Sequence, residues 1–184
     1  MVLVPEGNSE AISRLLEGLR APEELPMSTA AALSLVGPRL PQDAREQVAE
    51  IMREPPTLAA QVEAVRLLGG YEPVRSTIVG YVQEAEVPLQ VRLAAAKTLA
   101  ANAPDRFTEI ARSIIPDGDV ATELRIFAVE AVRQQRLSRD ASTLTRSPDE
   151  LDRTILSLAE RGEPDTLRAA AQRYVNTTYL SPNQ

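Results

Sequence analysis

The chain has no histidine and no cysteine, so any chemistry falls to its carboxylates and one lysine. Asp117-Gly118-Asp119 with Glu123 sets acids in the general order of a calcium loop. An EF-hand loop needs ligands at alternate positions, a central Gly and a closing Glu at the twelfth position, and that spacing is not met. The segment reads as a turn between helices, with Asp119 capping the helix that follows. Asp149, Glu150 and Asp152 gather three acids in the manner of a Mg²⁺ site. Their spacing is equally that of first-turn acids facing the positive end of a helix dipole, which is the reading adopted. Lys97 is the only lysine. No Ser-x-x-Lys contains it, so a Ser-Lys dyad is not formed. The composition excludes thiolate and imidazole zinc sites and every Cys-His or Ser-His-Asp nucleophile. Neither a Gly-x-x-x-x-Gly-Lys phosphate loop nor a Gly-x-Gly-x-x-Gly turn occurs. Paired carboxylates for glycoside hydrolysis are available by type, but no Trp and four Tyr leave little surface on which to stack a sugar. No catalytic, metal-ligating or cofactor-binding residue is assigned, and a non-enzyme is expected.

The elements around these residues are helical by composition. Of 184 residues, 43% are apolar but only 3% aromatic; 26 are Ala and 22 Leu, the makings of close-packed helices rather than a β-sandwich. The net charge of −6 and pI near 4.9 make nucleic acid an unlikely partner. The local exception is the segment 125–146, with Arg125, Arg133, Arg136, Arg139 and Arg146 against Glu130 and Asp140. The opening MVLVPEGNSE has no basic n-region, and the charge-free stretch from Leu25 to Pro38 is broken by prolines. Neither a signal peptide nor a membrane span is expected, and the expected location is the cytoplasm. Asn176-Thr177-Thr178 fits a glycosylation sequon, relevant only to a secretory route.

Prolines punctuate the chain, and the pattern between them predicts helices over 9–20, 28–36, 42–53, 57–69, 73–85, 88–102, 104–115, 120–136, 148–161 and 164–178. Pro104-Asp105, Pro148-Asp149 and Pro164-Asp165 mark helix starts. Gly69-Gly70 marks an end, through a left-handed cap. No stretch alternates with the period of a strand.

An i, i+4, i+8 stripe of apolar or small residues recurs: Met27, Ala31, Leu35; Ala60, Ala64, Leu68; Val91, Ala95, Leu99; Leu124, Ala128, Val132. A fifth copy is Leu151, Ile155, Ala159. Such residues share one helix face, and a small middle residue admits a neighbouring helix closely. Each of the first three stripe helices precedes a second helix with its own stripe: Val48, Ile51, Met52; Val74, Ile78, Val82; Phe107, Ile110, Ile114. The fourth unit lacks this partner, because LSRDASTLTRS at 137–147 is polar and reads as a short helix or loop. A repeat of about 32 residues with two helices per unit indicates an α-solenoid.

QVRLAAAKTLAAN (90–102) and ELRIFAVEAVRQQ (123–135) resemble first helices of HEAT-like repeats, which recur as Val-Arg, then Ala three residues on, then Leu or Val four further. Arg92 and Arg125 supply the arginine, and Gln61 stands in its place in the preceding copy. The resemblance spans about 27–178 and is closest to the short bacterial type. It implies an all-α, right-handed solenoid of about five antiparallel helix pairs, in one domain over 1–184 with an N-terminal cap (1–26), repeats (27–178) and a tail (179–184). HEAT-like di-iron hydroxylases use His-Glu motifs, absent here, and nothing matches the bilin-attachment relatives. The resemblance therefore implies a protein–protein interaction module: an adaptor, scaffold or regulatory subunit without cofactor, binding another protein. Its second helices would present the reading face, with Arg75, Tyr81, Gln83, Arg106, Glu109, Arg112, Arg168 and Arg173 as partner-binding residues. A homodimer through an exposed solenoid end is a further expectation. The alternative is nucleic-acid binding through the Arg-rich 125–146 patch, as in the HEAT-like family that repairs alkylated DNA.

Overall fold

In the computed structural model, residues 14–15, 17–18, 27–37, 40–139, 147–161 and 164–179 are described. Nine α-helices lie among them, in the order α1 (Thr29–Val36), α2 (Gln42–Arg53), α3 (Leu58–Leu67), α4 (Arg75–Gln83), α5 (Leu89–Asn102), α6 (Pro104–Ile114), α7 (Thr122–Arg139), α8 (Glu150–Arg161) and α9 (Asp165–Thr178), with a 3₁₀ turn at Glu72–Val74. No strand occurs among the described residues, so the protein is all-α. None of these helices is long and apolar enough to cross a membrane. Of the helix expected at 9–20, only Arg14, Leu15, Glu17 and Gly18 are described, and they are helical. Residues 1–13 and 180–184 of the expected cap and tail lie outside the described residues.

The helices start and stop for local reasons. The Ser28 hydroxyl accepts the Ala31 N–H at 3.2 Å, and Thr57 does the same for Ala60, so each caps an otherwise unpaired donor. Pro104 occupies the first turn of α6, where its missing N–H is no loss. Pro164 instead stands one residue ahead of α9, and Pro148 two ahead of α8. The expected left-handed cap at Gly69-Gly70 is corrected. α3 ends on Leu68 in a right-handed conformation (φ −89°, ψ 7°), and the Tyr71 N–H closes the turn on the Leu68 carbonyl at 2.8 Å. The left-handed glycine is Gly37 (φ 65°), which ends α1 with its N–H on the Leu33 carbonyl.

The chain packs as two compact units, Met1–Tyr81 and Val82–Gln184. In the first, α3 packs against both α1 and α2. Ala60, Ala64 and Leu68 are fully buried, as are Val48 and Met52. The first stripe requires correction: Ala31 is exposed and Leu35 is 47% exposed, while Ala32, Val36 and Leu40 are buried. The buried face of α1 is Thr29, Ala32, Leu33 and Val36, spaced i, i+3, i+4, i+7, and Leu40 follows beyond the Gly37 cap.

In the second unit α6 packs against α5 and α7, and α5 against α7. The stripes Val91, Ala95, Leu99 and Leu124, Ala128, Val132 are buried, as are Phe107, Ile110 and Ile114 between them. Phe107 meets Phe127 edge-to-face, with centroids 5.8 Å apart, a favoured aromatic geometry. The last three helices combine differently: α9 packs on both α7 and α8. α7 itself runs on to Arg139, absorbing the start of the segment expected as a separate short helix or loop; residues 140–146 lie outside the described residues. Leu151 and Ile155 are buried, whereas Ala159 is half-buried.

Candidate functional site

The acids singled out by type have structural partners. Asp117 Oδ1 accepts the Asp119 N–H at 2.9 Å, an Asx turn. α7 begins only at Thr122, so Asp119 belongs to the turn and not to the helix cap. Asp149 and Asp152 bracket the start of α8 reciprocally: Asp149 Oδ1 accepts the Asp152 N–H, and Asp152 Oδ2 accepts the Asp149 N–H, both at 2.9 Å. This is a capping box with Asp in the position usual for Glu. Among the described residues no group of three acids is placed to hold a metal ion.

Asp152 also anchors a buried polar cluster. Its Oδ1 accepts the Tyr174 hydroxyl of α9 and lies 3.4 Å from Arg136 Nη2, which bonds Asp149 Oδ2 at 2.5 Å. Asp152 is 3% exposed and Tyr174 fully buried. Burial pushes the Tyr174 hydroxyl far above its ordinary range, and the bond to Asp152 pushes it the same way. Burial alone would lower Arg136, but its hydrogen bond to Asp149 and the charge of Asp152 outweigh it and raise the guanidinium. The cluster ties α7, α8 and α9 together. Its side chains bond chiefly one another, with Arg136 Nε buried and without a hydrogen-bond partner among the described residues, which gives it a scaffold's geometry.

A second set of polar contacts recurs along the chain. Arg92, on α5, directs Nε and Nη2 at the Val82 carbonyl (3.2 and 3.1 Å). Arg125, on α7, directs Nε at the Ile115 carbonyl (3.0 Å). In the first unit Gln61 Nε2 bonds the Met52 carbonyl (3.2 Å), which also accepts the Tyr81 hydroxyl (3.0 Å). Each accepting carbonyl ends a preceding helix, where the last carbonyls have no partner inside the helix. Both arginines are 6% exposed. Burial lowers the Arg125 pKa, partly offset by Asp117.

The residues expected to read a partner are placed as follows. Arg75 pairs with Glu72 (2.5 Å), Arg106 with Glu109 (2.5 Å) and Arg168 with Asp165 (2.5 Å), all within one turn. Tyr81 is spent on Met52. Arg173 reaches Glu130 on α7 (2.8 Å), which also holds Arg133 (2.8 Å). Burial would raise Glu130, but the bonds and charges of Arg133 and Arg173 outweigh it and hold the carboxylate below its usual range. Gln83 and Arg112 are exposed. Arg106, Glu109 and Arg112 follow one another at three-residue spacing along α6, whereas Arg168 and Arg173 on α9 pair with different acids, Asp165 and Glu130. In the Arg-rich segment, Arg125 is buried and Arg133 and Arg136 are ion-paired. Arg146 and the side chain of Arg139 lie outside the described residues.

An open groove of about 620 Å³ runs between α5 and α7. Its floor is Ala100, Ala101, Phe127 and Ala131; Lys97, Pro104, Gln134, Gln135 and Ser138 complete the walls. Gln135 is held in place, its Nε2 donating to the Pro104 carbonyl (3.2 Å) and its Oε1 accepting the Thr108 hydroxyl (2.6 Å). Lys97 is exposed and forms no ion pair among the described residues. Sequence reasoning placed Lys97 beside the stripe and left the groove unread. The signal for it is the run AAAKTLAAN, whose alanines outnumber the positions the core needs. A second polar hollow of about 680 Å³ lies beside Pro116, lined by Glu150, Arg153, Thr154, Ser157 and Leu158. Set against known proteins, the chain matches no family model, no curated protein and no solved structure.

Proposed function

We propose that the chain is a right-handed, HEAT-like α-solenoid of about five antiparallel helix pairs, acting in the cytoplasm as a non-catalytic protein–protein interaction module. The observation that supports the architecture best is the repeated clamp. Gln61, Arg92 and Arg125 recur at near-constant spacing on successive first helices, and each bonds the terminal carbonyl nine or ten residues before it. One helix pair cannot bury its own apolar face, so a clamp from each pair to the end of the preceding helix suits a stack of units. A stack of helix pairs presents a long surface, the usual medium of adaptors and regulatory subunits. Gln83, Arg112 and the exposed one-turn pairs of Arg75 with Glu72, Arg106 with Glu109 and Arg168 with Asp165 remain accessible, while Tyr81 reaches the Met52 carbonyl and Arg173 reaches Glu130.

Affinity capture of the tagged chain from its host, washed at low and high salt with bound protein and nucleic acid both identified, tests this reading. A stoichiometric protein surviving the high-salt wash is the expected result. Nucleic acid recovered only at low salt would replace it with phosphate binding through the 125–146 segment. That outcome would require Arg133 and Arg136 to leave their carboxylate partners.

A further inference from the structure

Resting on the interaction-module reading, we propose that the groove between α5 and α7 docks an amphipathic helix of a protein partner, with one carboxylate on that helix's flank meeting the Lys97 ammonium. The floor of Ala100, Ala101, Phe127 and Ala131 is apolar and offers no side-chain hydrogen-bonding group. An extended peptide laid there would bury backbone N–H and C=O groups without partners. A helix satisfies its own backbone, and the small floor residues let it approach closely. Phe127, Ala131, Gln134 and Ser138 share one face of α7 across twelve residues, about 16 Å at the helical rise, which accommodates about three turns of an occupant. The groove is firm, with Phe127 of the floor seated edge-to-face on Phe107 and Gln135 of the wall pinned by two hydrogen bonds.

Charge selects the occupant. Lys97 is the only charged residue of the lining, and among the described residues it has no carboxylate partner, in a chain of net charge −6. A docked helix that excludes water beside it strengthens a charge-assisted bond to an acid at that spot. A second copy is a poorer fit, because a two-fold contact of groove on groove sets Lys97 against Lys97.

The test is a displayed library of helical peptides of about 14 residues, a length on the order of four turns, selected on the full chain. Synthetic versions of the enriched peptides are then titrated by fluorescence polarisation. Enriched sequences are expected to share apolar residues at i, i+3, i+4 and i+7 with an Asp or Glu on one flank. Ala101→Arg, at an exposed position, is expected to weaken binding by about tenfold or more. Lys97→Glu should weaken it also, and exchanging the peptide's acid for Lys should restore it. Circular dichroism melts verify that both variants fold. Four results overturn the proposal: no enrichment; peptides indifferent to both substitutions; peptides without the acid; or a dimer in sedimentation that Ala101→Arg dissolves. Peptides that ignore both groove variants but lose affinity in Arg112→Glu would move the site to α6 and leave the interaction reading standing. Absence of any protein partner in the capture experiment would instead remove that reading itself.

Discussion

Asp152 occupies, in the fifth stripe, the position that Arg92 and Arg125 hold in the third and fourth. The sign of the buried charge is inverted, so it needs a cation and a donor from elsewhere, and Arg136 and Tyr174 supply them. Tyr174→Phe leaves the carboxylate short of one donor in a buried site and is expected to cost about 1–3 kcal/mol in urea unfolding. The alkaline limb offers an independent check. The unfolded phenol releases its proton near pH 10, whereas burial and Asp152 keep the folded one protonated well above that. The folded state then binds more protons, so this stability is intact below about pH 10 and falls as pH rises beyond it. Tyr174→Phe should remove about one proton's worth of that slope. The share of Tyr179, raised by burial and by Asp152, should remain. Glu130 works in the opposite direction. Its folded pKa lies below its ordinary value, so its contribution is present above about pH 4.3 and is lost as pH falls through the lower folded value. Glu130→Gln should flatten the acid limb of the stability profile. The sequence marked Asp149 and Asp152 as helix-start acids, which they are. It gave no sign of Tyr174 beneath them, because a contact across 22 residues depends on how α8 and α9 pack.

At the scale of elements, periodicity carried far. The structure follows the expected helices closely from α1 to α9, and four of the five stripes lie on buried faces wholly or in most positions. The failures have local causes. The first stripe missed because α1 buries Thr29, Ala32, Leu33 and Val36, a face that the i, i+4, i+8 spacing from Met27 does not pick out. Gly69-Gly70 adopted right-handed geometry because the Tyr71 N–H already closes the turn on Leu68. Arg92 and Arg125 were legible as a repeated residue, but their task was not, since a carbonyl acceptor leaves no mark in the sequence. Arg92→Met keeps the apolar stem and removes both bonds to the Val82 carbonyl. The expected cost is about 1–3 kcal/mol, mostly the penalty of a buried unpaired acceptor, read from the urea midpoint at unchanged slope. Arg125→Met should cost less within that range, because one bond is lost rather than two. Equal stability of both variants with the parent would assign the arginines no clamping role.

At the scale of the molecule, a stack of repeats and a single cooperative bundle differ in how far damage travels. In a stack each unit contacts only its neighbours, so stability is close to a sum of local terms. In a two-state bundle every core residue reports on the whole. The two compact units and the neighbour-to-neighbour packing of α5, α6 and α7 lead to a graded response. Leu124 is fully buried, and Leu124→Ala should cost about 2–5 kcal/mol locally. Amide hydrogen exchange should then show faster opening throughout α5, α6, α7 and α9, with the protection of α2 and α3 nearly unchanged. A uniform loss across all nine described helices would make the chain one cooperative unit and remove the physical basis for reading it as a solenoid. The same experiment bears on the groove. Its two walls are α5 and α7, the helices expected to loosen first, so helix-peptide binding should fall in Leu124→Ala even though Leu124 does not line the groove. Retained binding there would mean that the walls hold their spacing through Phe107, Phe127 and the Gln135 contacts alone.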